Sequence, residues 1–231
     1  QVEMVDYEPA TVDFIRSYDP NPMPKEGSLE EAAALINEAK RPLVLVGQGV
    51  ELGGAQAELR AFVEKADLPC GCTLLGLSAL SSDHPLNKGM LGMHGNLAPN
   101  VKTNECDVLI AVGMRFDDRV TGNLATYAKQ AKVIHMDIDP SEFNKNVKVD
   151  VEVLGNCKLT LKALTALVAE AKHTEWIESF AEHDAIENKR VIEPEIHPVE
   201  GPLNMGEVVR AVSEESNHEA ILVTDVGQNQ M

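Results

Sequence analysis

The sequence predicts a three-layer α/β fold, a doubly wound parallel sheet covered by helices on both faces. Three observations carry that expectation. Short runs such as Val108-Leu109-Ile110-Ala111-Val112 are apolar at every position rather than at alternate ones, as strands buried on both faces require. Between these runs lie stretches with apolar residues at helical spacing, so strands and helices alternate along the chain. The runs also end in glycine or acidic residues: Gly47-Gln48-Gly49, Gly113-Met114-Arg115, Asp137-Ile138-Asp139 and Gly155-Asn156. In such sheets ligands bind beyond the carboxyl ends of the strands, so the expected architecture is Rossmann-like with a nucleotide-type cofactor.

The elements follow in order. Residues 1–27 are rich in proline and polar residues, including Asp19-Pro20-Asn21-Pro22-Met23-Pro24, and are expected to form an extended linker. Ser28 and Glu31 have the spacing of a capping box and start a helix over 29–40. Pro42 stops it, and 43–47 is a buried strand. Helical period returns over 54–66 through Ala57, Leu59, Phe62 and Val63, and 68–73 is a second strand. Residues 75–104 are glycine-rich and irregular, with a short helix over 97–104. Strands at 108–113, 133–138 and 149–154 come next, then an amphipathic helix at 157–171 and a polar helix at 174–190. A second linker at 192–203 leads to a helix at 204–216 and a strand at 220–225. The chain thus divides into linker 1–27, a central α/β domain 28–191, linker 192–203, and the beginning of another domain at 204–231. It opens on Gln1 and stops just past an apolar strand, so it is expected to be a section of something longer.

Composition narrows the function. Hydrophobic residues make up 44%, enough for a real core, so global disorder is excluded. Lys+Arg 20 against Asp+Glu 37 gives a formal net charge of −17, which argues against nucleic acid or an anionic membrane as partner. No apolar run reaches the roughly 18 residues of a transmembrane helix. Cys70, Cys72, Cys106 and Cys157 have no metal-ligand spacing and suit a reducing compartment.

Glycine lets backbone approach a ligand closely, and an acid at a strand end can accept ribose hydroxyls. Gly47-Gln48-Gly49 is not a full dinucleotide fingerprint, since its third glycine would fall at Leu52, and no Walker spacing follows. Turn glycines are the alternative there. The string Gly113-Met114-Arg115-Phe116-Asp117-Asp118-Arg119-Val120-Thr121-Gly122 crowds two arginines and two aspartates just past a buried strand. Arginine offers a fork suited to phosphate or carboxylate, while a solvated loop with local ion pairs is the alternative. Met90-Leu91-Gly92-Met93-His94-Gly95 has neither period. It is either a core loop or a loop lying along a flat ring system, with Met93 packing on the ring and His94 donating a hydrogen bond. No second ligand sits at metal spacing from His94. Cys70-Gly71-Cys72 lacks redox spacing, and no serine nucleophile motif is present.

Together with His135-Met136-Asp137-Ile138-Asp139-Pro140, these strings strongly resemble the central domain of the acetohydroxyacid (acetolactate) synthase family, thiamine-diphosphate enzymes. The resemblance runs from about residue 28 onward, and the Arg-Phe-Asp-Asp-Arg-Val-Thr-Gly string marks the FAD-containing synthases. It implies an FAD bound in extended form, with no net redox role in the main reaction. Gly47 and Gly49 would approach it at the first strand end, and Thr73 and Leu74 at the second. Leu91, Gly92, Met93 and His94 would line the flavin end. Gly113, Arg115, Asp117, Arg119 and Val120 would run along it, and Asp137, Ile138, Gly155 and Asn156 would hold the adenosine part. Asn156 stands where the family has Asp.

Arg119 matches the family arginine that recognises the second 2-ketoacid's carboxylate, Met93 a neighbour of that pocket, and Arg119 and Asp118 positions at its herbicide-binding mouth. Gln228 and Asn229 match positions that contact thiamine diphosphate, Asn229 replacing the family's histidine. The resemblance further implies decarboxylation of pyruvate and joining of its remaining two-carbon unit to a second 2-ketoacid, toward branched-chain amino acids. It implies Mg²⁺ in the full enzyme, a homodimer or tetramer of catalytic subunits, and a small regulatory subunit. The location would be cytoplasmic in a bacterium and organellar in a eukaryote. The activating glutamate and the Mg²⁺ ligands match nothing in these residues, so the chain alone is expected to be inactive. Pyruvate oxidase, glyoxylate carboligase or a non-catalytic nucleotide-binding module are the alternatives. The arginine string speaks against the first two and the segment after 220 against the third.

Overall fold

The computed structural model describes residues 21–225 and 227. Six strands form one sheet: β1 (Pro42–Val46), β2 (Cys70–Cys72), β3 (Asn87–Met90), β4 (Val108–Val112), β5 (Lys132–Asp137) and β6 (Val151–Leu154). Their order is β3-β2-β1-β4-β5-β6 and every neighbouring pair is parallel. The chain winds outward from β1 to β3, then returns to the centre and winds outward again from β4 to β6. The reversal between β1 and β4 is the switch point, where such sheets open a crevice. The expected doubly wound α/β fold is borne out.

The helices are α1 (Ser28–Glu38), α2 (Gly49–Leu52), α3 (Gln56–Ala66), α4 (Leu97–Thr103), α5 (Asp118–Thr121), α6 (Cys157–Leu167), α7 (Thr174–Glu178), α8 (Ala181–Glu187), α9 (Glu193–Ile196) and α10 (Met205–Glu215). Alternate strand residues face opposite layers. Val44, Val46, Ile110, Val112, Ile134 and Met136 meet Phe62 of α3 and Leu161 and Leu164 of α6. Leu43, Leu45, Leu109, Ala111 and Val133 meet Trp176 and Phe180 on the other side. In α3 the buried residues Leu59, Phe62, Val63 and Ala66 keep the spacing of one helical face. The second layer is fastened by polar atoms too. Trp176 Nε1–H donates to the Pro42 carbonyl at 2.8 Å. The buried Lys102 ammonium lies 5.1 Å from the Trp176 ring and 5.8 Å from that of Phe180, while pairing with Glu105 at 2.8 Å.

Four expectations are corrected. The capping box does not form: Gly27, with φ 81°, is the N-cap, and its carbonyl accepts the Glu31 N–H. Ser28 is therefore already inside the first turn, with its Oγ buried and without a partner among the described residues. The segment 75–104 is not simply irregular, because it contains a 3₁₀ turn at Leu74–Ala79 and the edge strand β3. β3 is half-exposed and paired on one side only, so it needs no continuous apolar run. The helix expected at 174–190 is broken into α7 and α8. It then passes through a wider π turn at Asn188–Ile192 into α9, within the stretch taken as a linker. Residues 220–225 form no strand. Ile221 and Val223 are 91% and 89% exposed, and among the described residues no strand lies beside them to pair with. The first twenty residues of the expected N-terminal linker lie outside the described residues.

All four cysteines are free and buried. Burial pushes the thiols up, to about 11 for Cys72 and about 12 for Cys106 and Cys157, and well above the ordinary value for Cys70. Since the thiolate is the nucleophile, none should react with a disulfide reagent near pH 8 in the folded protein. All four should titrate after denaturation. Prompt release of chromophore from the native protein would contradict this burial.

Candidate cofactor cleft

A cleft of about 580 Å³ lies across the carboxyl ends of the strands. Its floor is backbone. Gly47 follows β1 and donates to the Val112 carbonyl at 2.9 Å; Gly49 donates to the Gly113 carbonyl at 2.9 Å; Gly113, after β4, donates to the Met136 carbonyl at 2.8 Å. A Cβ on Gly49 would sit 2.6 Å from Gly113 Cα, and one on Gly47 would overlap the Gly113 carbonyl and Met114 Cβ. Gly113 itself has φ +58°. The turn-glycine alternative therefore holds some truth: these glycines let two loops cross, and the crossing makes a floor without side chains.

Asp137 ends β5 and is 8% exposed. Its Oδ1 accepts the Asp139 N–H at 2.9 Å, and burial raises its pKa. Two residues back, His135 is fully buried, with Nε2 2.9 Å from the Met114 carbonyl. A carbonyl only accepts, so Nε2 carries the hydrogen. Nδ1 has no partner among the described residues. Phe116 and Phe143 stand edge-on to the ring at 5.1 and 5.2 Å, and its desolvation lowers the imidazole pKa. Asn156 follows β6 and caps α6, its Oδ1 accepting the Lys158 N–H at 2.9 Å.

The arginine segment forms the wall. Asp117 caps the short α5, its Oδ1 accepting the Arg119 N–H at 3.1 Å. Arg115 pairs with Asp117 at 3.6 Å, but the two side chains are 67% and 39% exposed. Such a pair contributes about 0–1 kcal/mol and does not hold the segment. Buried Met114 and Phe116 do, with Asn146 Nδ2 donating to the Phe116 carbonyl at 2.7 Å and Met93 N–H donating to the Arg119 carbonyl at 2.7 Å. The Arg119 guanidinium meets no acceptor among the described residues.

Of the residues expected here, Gly47, Gly49, Thr73, Leu74, Gly113, Arg115, Asp117, Arg119, Val120, Asp137, Ile138 and Asn156 line the cleft. Leu91, Gly92, Met93 and His94 do not. Leu91 is buried in the core, and its N–H donates to Cys72, while the exposed Met93 and His94 stand beside the cleft at its Arg119 end. Gly155 also lies off the cleft, its Cα packed toward the Thr160 methyl and the Pro22 carbonyl. Gln228 and Asn229 lie outside the described residues. Sequence reasoning missed Gln48, Leu52, Gly53, Leu75, Met114 and Cys157. Leu52 sits where the failed fingerprint wanted glycine, and is 78% exposed over the cleft. Among the described residues, no three His, Cys, Asp or Glu gather to hold a metal.

A parallel sheet in this order, with a glycine-floored cleft at its switch point and a buried acid at a strand end, is the arrangement in which doubly wound α/β domains open a ligand crevice. The family profile described as "Thiamine pyrophosphate enzyme, central domain" matches residues 29–164, and the chain belongs to that family. Among known proteins it is similar to the "Probable acetolactate synthase large subunit" of Methanocaldococcus jannaschii, 40% identical over 96% of this chain and 38% of that protein. The "Acetolactate synthase large subunit" of Parasynechococcus marenigrum is 40% identical over 100% of this chain and 37% of its own length. The "Acetolactate synthase isozyme 2 large subunit" of Escherichia coli is 39% identical over 88% and 36%. The chain thus spans less than two fifths of the relatives it matches. A rice relative named "Acetolactate synthase 1, chloroplastic" is 37% identical over 88% of this chain. No helix among the described residues is long and apolar enough to cross a membrane.

The buried histidine gives a pH signature. Its folded pKa is lowered, so below the ordinary imidazole value of 6.5 the unfolded chain binds this proton more readily than the folded one. The stability it contributes is present above that value and is lost as pH falls. Asp137, raised by burial, has the opposite sign in the carboxylate range. The midpoint of thermal unfolding should fall between about pH 7.5 and pH 5.5. His135→Gln, which keeps a donor for the Met114 carbonyl, should flatten that fall. Equal slopes in both proteins would remove His135 from the account.

Proposed function

We propose that the cleft holds FAD in an extended form and that the chain is the FAD-binding part of an acetolactate synthase. Thiamine diphosphate and Mg²⁺ belong to the complete enzyme, where Gln228 and Asn229 would contact the diphosphate. The observation that carries this reading is the Arg119 guanidinium, without a partner among the described residues, in the wall of a backbone-floored cleft that is also lined by the buried Asp137.

The residues fit the group. A bare backbone floor at Gly47, Gly49 and Gly113 admits a diphosphate closely, and Asp137 offers a carboxylate to ribose hydroxyls. Asn156 retains Nδ2 as a donor toward the adenine side, since its Oδ1 is committed to the α6 cap. Leu74 and Leu75, more than half exposed, give the cleft an apolar rim for a ring system. FAD supplies the flat ring against which the second-substrate pocket is shaped, and thiamine diphosphate supplies the chemistry of 2-ketoacid decarboxylation. Arg119 then binds and orients the carboxylate of the second 2-ketoacid, with Met93 beside it. The proposed assembly is a homodimer or tetramer of catalytic subunits with a small regulatory subunit, in keeping with the words "large subunit" in the relatives' names.

Two measurements test this. The purified chain, given FAD, should show perturbed flavin absorption bands; an unchanged free-flavin spectrum at saturating protein would contradict the FAD assignment. In the complete gene product, Arg119→Ala should shift product partitioning between acetohydroxybutyrate and acetolactate when 2-ketobutyrate competes with pyruvate. A hydrogen bond to a charged group is worth about 1.5–3 kcal/mol, so the loss should be about ten- to a hundred-fold in selection of the second 2-ketoacid. Flavin content should hold, because FAD keeps its other partners. A wild-type ratio with lost flavin would make Arg119 a cofactor anchor instead.

A further inference from the structure

In the loop after β3, one side chain bonds both backbone polar groups of a single glycine. Asn100 stands on α4 and pairs with both backbone groups of Gly92: its Oδ1 accepts the Gly92 N–H at 2.9 Å and its Nδ2 donates to the Gly92 carbonyl at 2.9 Å. Nδ2 also donates to the Asn96 carbonyl at 3.0 Å. The amide orientation is fixed by this chemistry, since a flip would set donor against donor and acceptor against acceptor. The platform beneath it is firm. Ala98, Pro99, Lys102 and Thr103 of α4 are buried. Glu187 of α8 accepts from Asn96 Nδ2 at 3.2 Å and from the Leu97 N–H at 3.1 Å.

The next residue makes the connection to the cleft. Met93 N–H donates to the Arg119 carbonyl at 2.7 Å. The approach is so close that a Cβ on Gly92 would lie 2.8 Å from that carbonyl oxygen, and Gly92 has φ +105°. Both backbone polar groups of Arg119 are thus held, its carbonyl by Met93 and its N–H by Asp117. Its guanidinium is free among the described residues. A side chain rooted at the backbone and free at its tip takes its position from whatever holds the root. α5 has only four residues and cannot supply that rigidity alone.

We propose that Asn100 is a positioning residue for Arg119, acting through Gly92 and Met93, and so sets selection of the second 2-ketoacid without touching it. This rests on the assignment of Arg119 to the substrate carboxylate made above. Asn100 figures in neither the cleft lining nor the sequence motifs that pointed to it.

The test uses Asn100→Ala and Asn100→Asp in the complete, FAD-loaded enzyme. Asp keeps an acceptor for the Gly92 N–H but loses both donors and turns a carboxylate toward two carbonyls. Each variant should lower selection of 2-ketobutyrate over pyruvate by about tenfold, the size of one lost hydrogen bond, with flavin content unchanged. The Asn100→Ala/Arg119→Ala double variant should be no worse than Arg119→Ala alone, because positioning an absent guanidinium has no effect. Full additivity in the double variant would overturn the proposal, as would flavin loss with an unchanged product ratio.

Hydrogen exchange provides the independent arm. Amides of 92–95 and 118–121 should exchange faster in Asn100→Ala, while those of β1 and β4 should not. Unchanged exchange in those two segments, or faster exchange across the whole sheet, would overturn the positioning role. If Arg119→Ala leaves the product ratio at its wild-type value, the substrate assignment falls, and localised exchange still decides whether Asn100 holds Arg119 in place.

Discussion

The cleft depends on one constraint: at the switch point the loops leaving β1 and β4 cross at backbone contact. Gly49 donates to the Gly113 carbonyl, and side chains on Gly47, Gly49 or Gly113 would overlap the opposite strand of the crossing. Parallel strands bring their carboxyl ends together on one edge of the sheet, and the reversal of winding sends the two loops apart only after they have met. The meeting place is therefore floored with backbone. Everything chemical must come from the walls: Arg115 and Arg119 after β4, Asp137 at the end of β5, Asn156 after β6, and the leucines after β2.

Beneath that floor the core changes character. On one face of the sheet β1 contributes Leu43 and Leu45, and β4 contributes Leu109 and Ala111. On the same face β5 contributes Val133, then His135 and then Asp137, so polarity rises toward the carboxyl end. Burying a histidine costs free energy that a hydrophobic residue in the same place would not incur. One hydrogen bond to the Met114 carbonyl offsets part of it, and fixes the turn from which Arg115 departs. The imidazole also lies 3.8 Å from Asp137. The imidazole thus bonds the backbone of the arginine wall beside the acid of the cleft, a bond that neither a leucine nor a valine could make.

The sequence made the centre of the sheet legible and left its edges obscure, for a physical reason. Strands β1, β4 and β5 are covered on both faces, so their apolar runs are nearly continuous. Asn87-Lys88-Gly89-Met90 lies at an edge, needs no such run, and carries no pattern. Residues 220–225 failed in the opposite direction, because an apolar run is only a strand when a neighbour offers it hydrogen bonds. In the site, the rule about strand ends found most of the wall, since it concerns backbone topology. It could not tell that Leu91 turns into the core while Met93 turns out, although both belong to one motif. Asn96, Asn100 and Asn146 escaped altogether. Side-chain bonds to distant backbone have no period and no spacing, and only the folded chain reveals them.

The two arginines of the wall differ in how their charges are met, and that difference sets what a strongly acidic protein offers an anion at this cleft. With a net charge of −17 the far field repels anions, but at an ionic strength of 0.15 M charges are screened beyond about 8 Å. What matters is the local balance within that distance. Arg115 stands 3.6 Å from the Asp117 carboxylate, so its charge is locally met. Arg119 bonds the other oxygen of Asp117 only through its backbone N–H, and its guanidinium meets no acid among the described residues. Asp117 thus spends one oxygen on quenching the first arginine and the other on fixing the root of the second. The same carboxylate partners the Arg115 charge and leaves that of Arg119 unmet among the described residues, so the two, four residues apart on one wall, are not interchangeable.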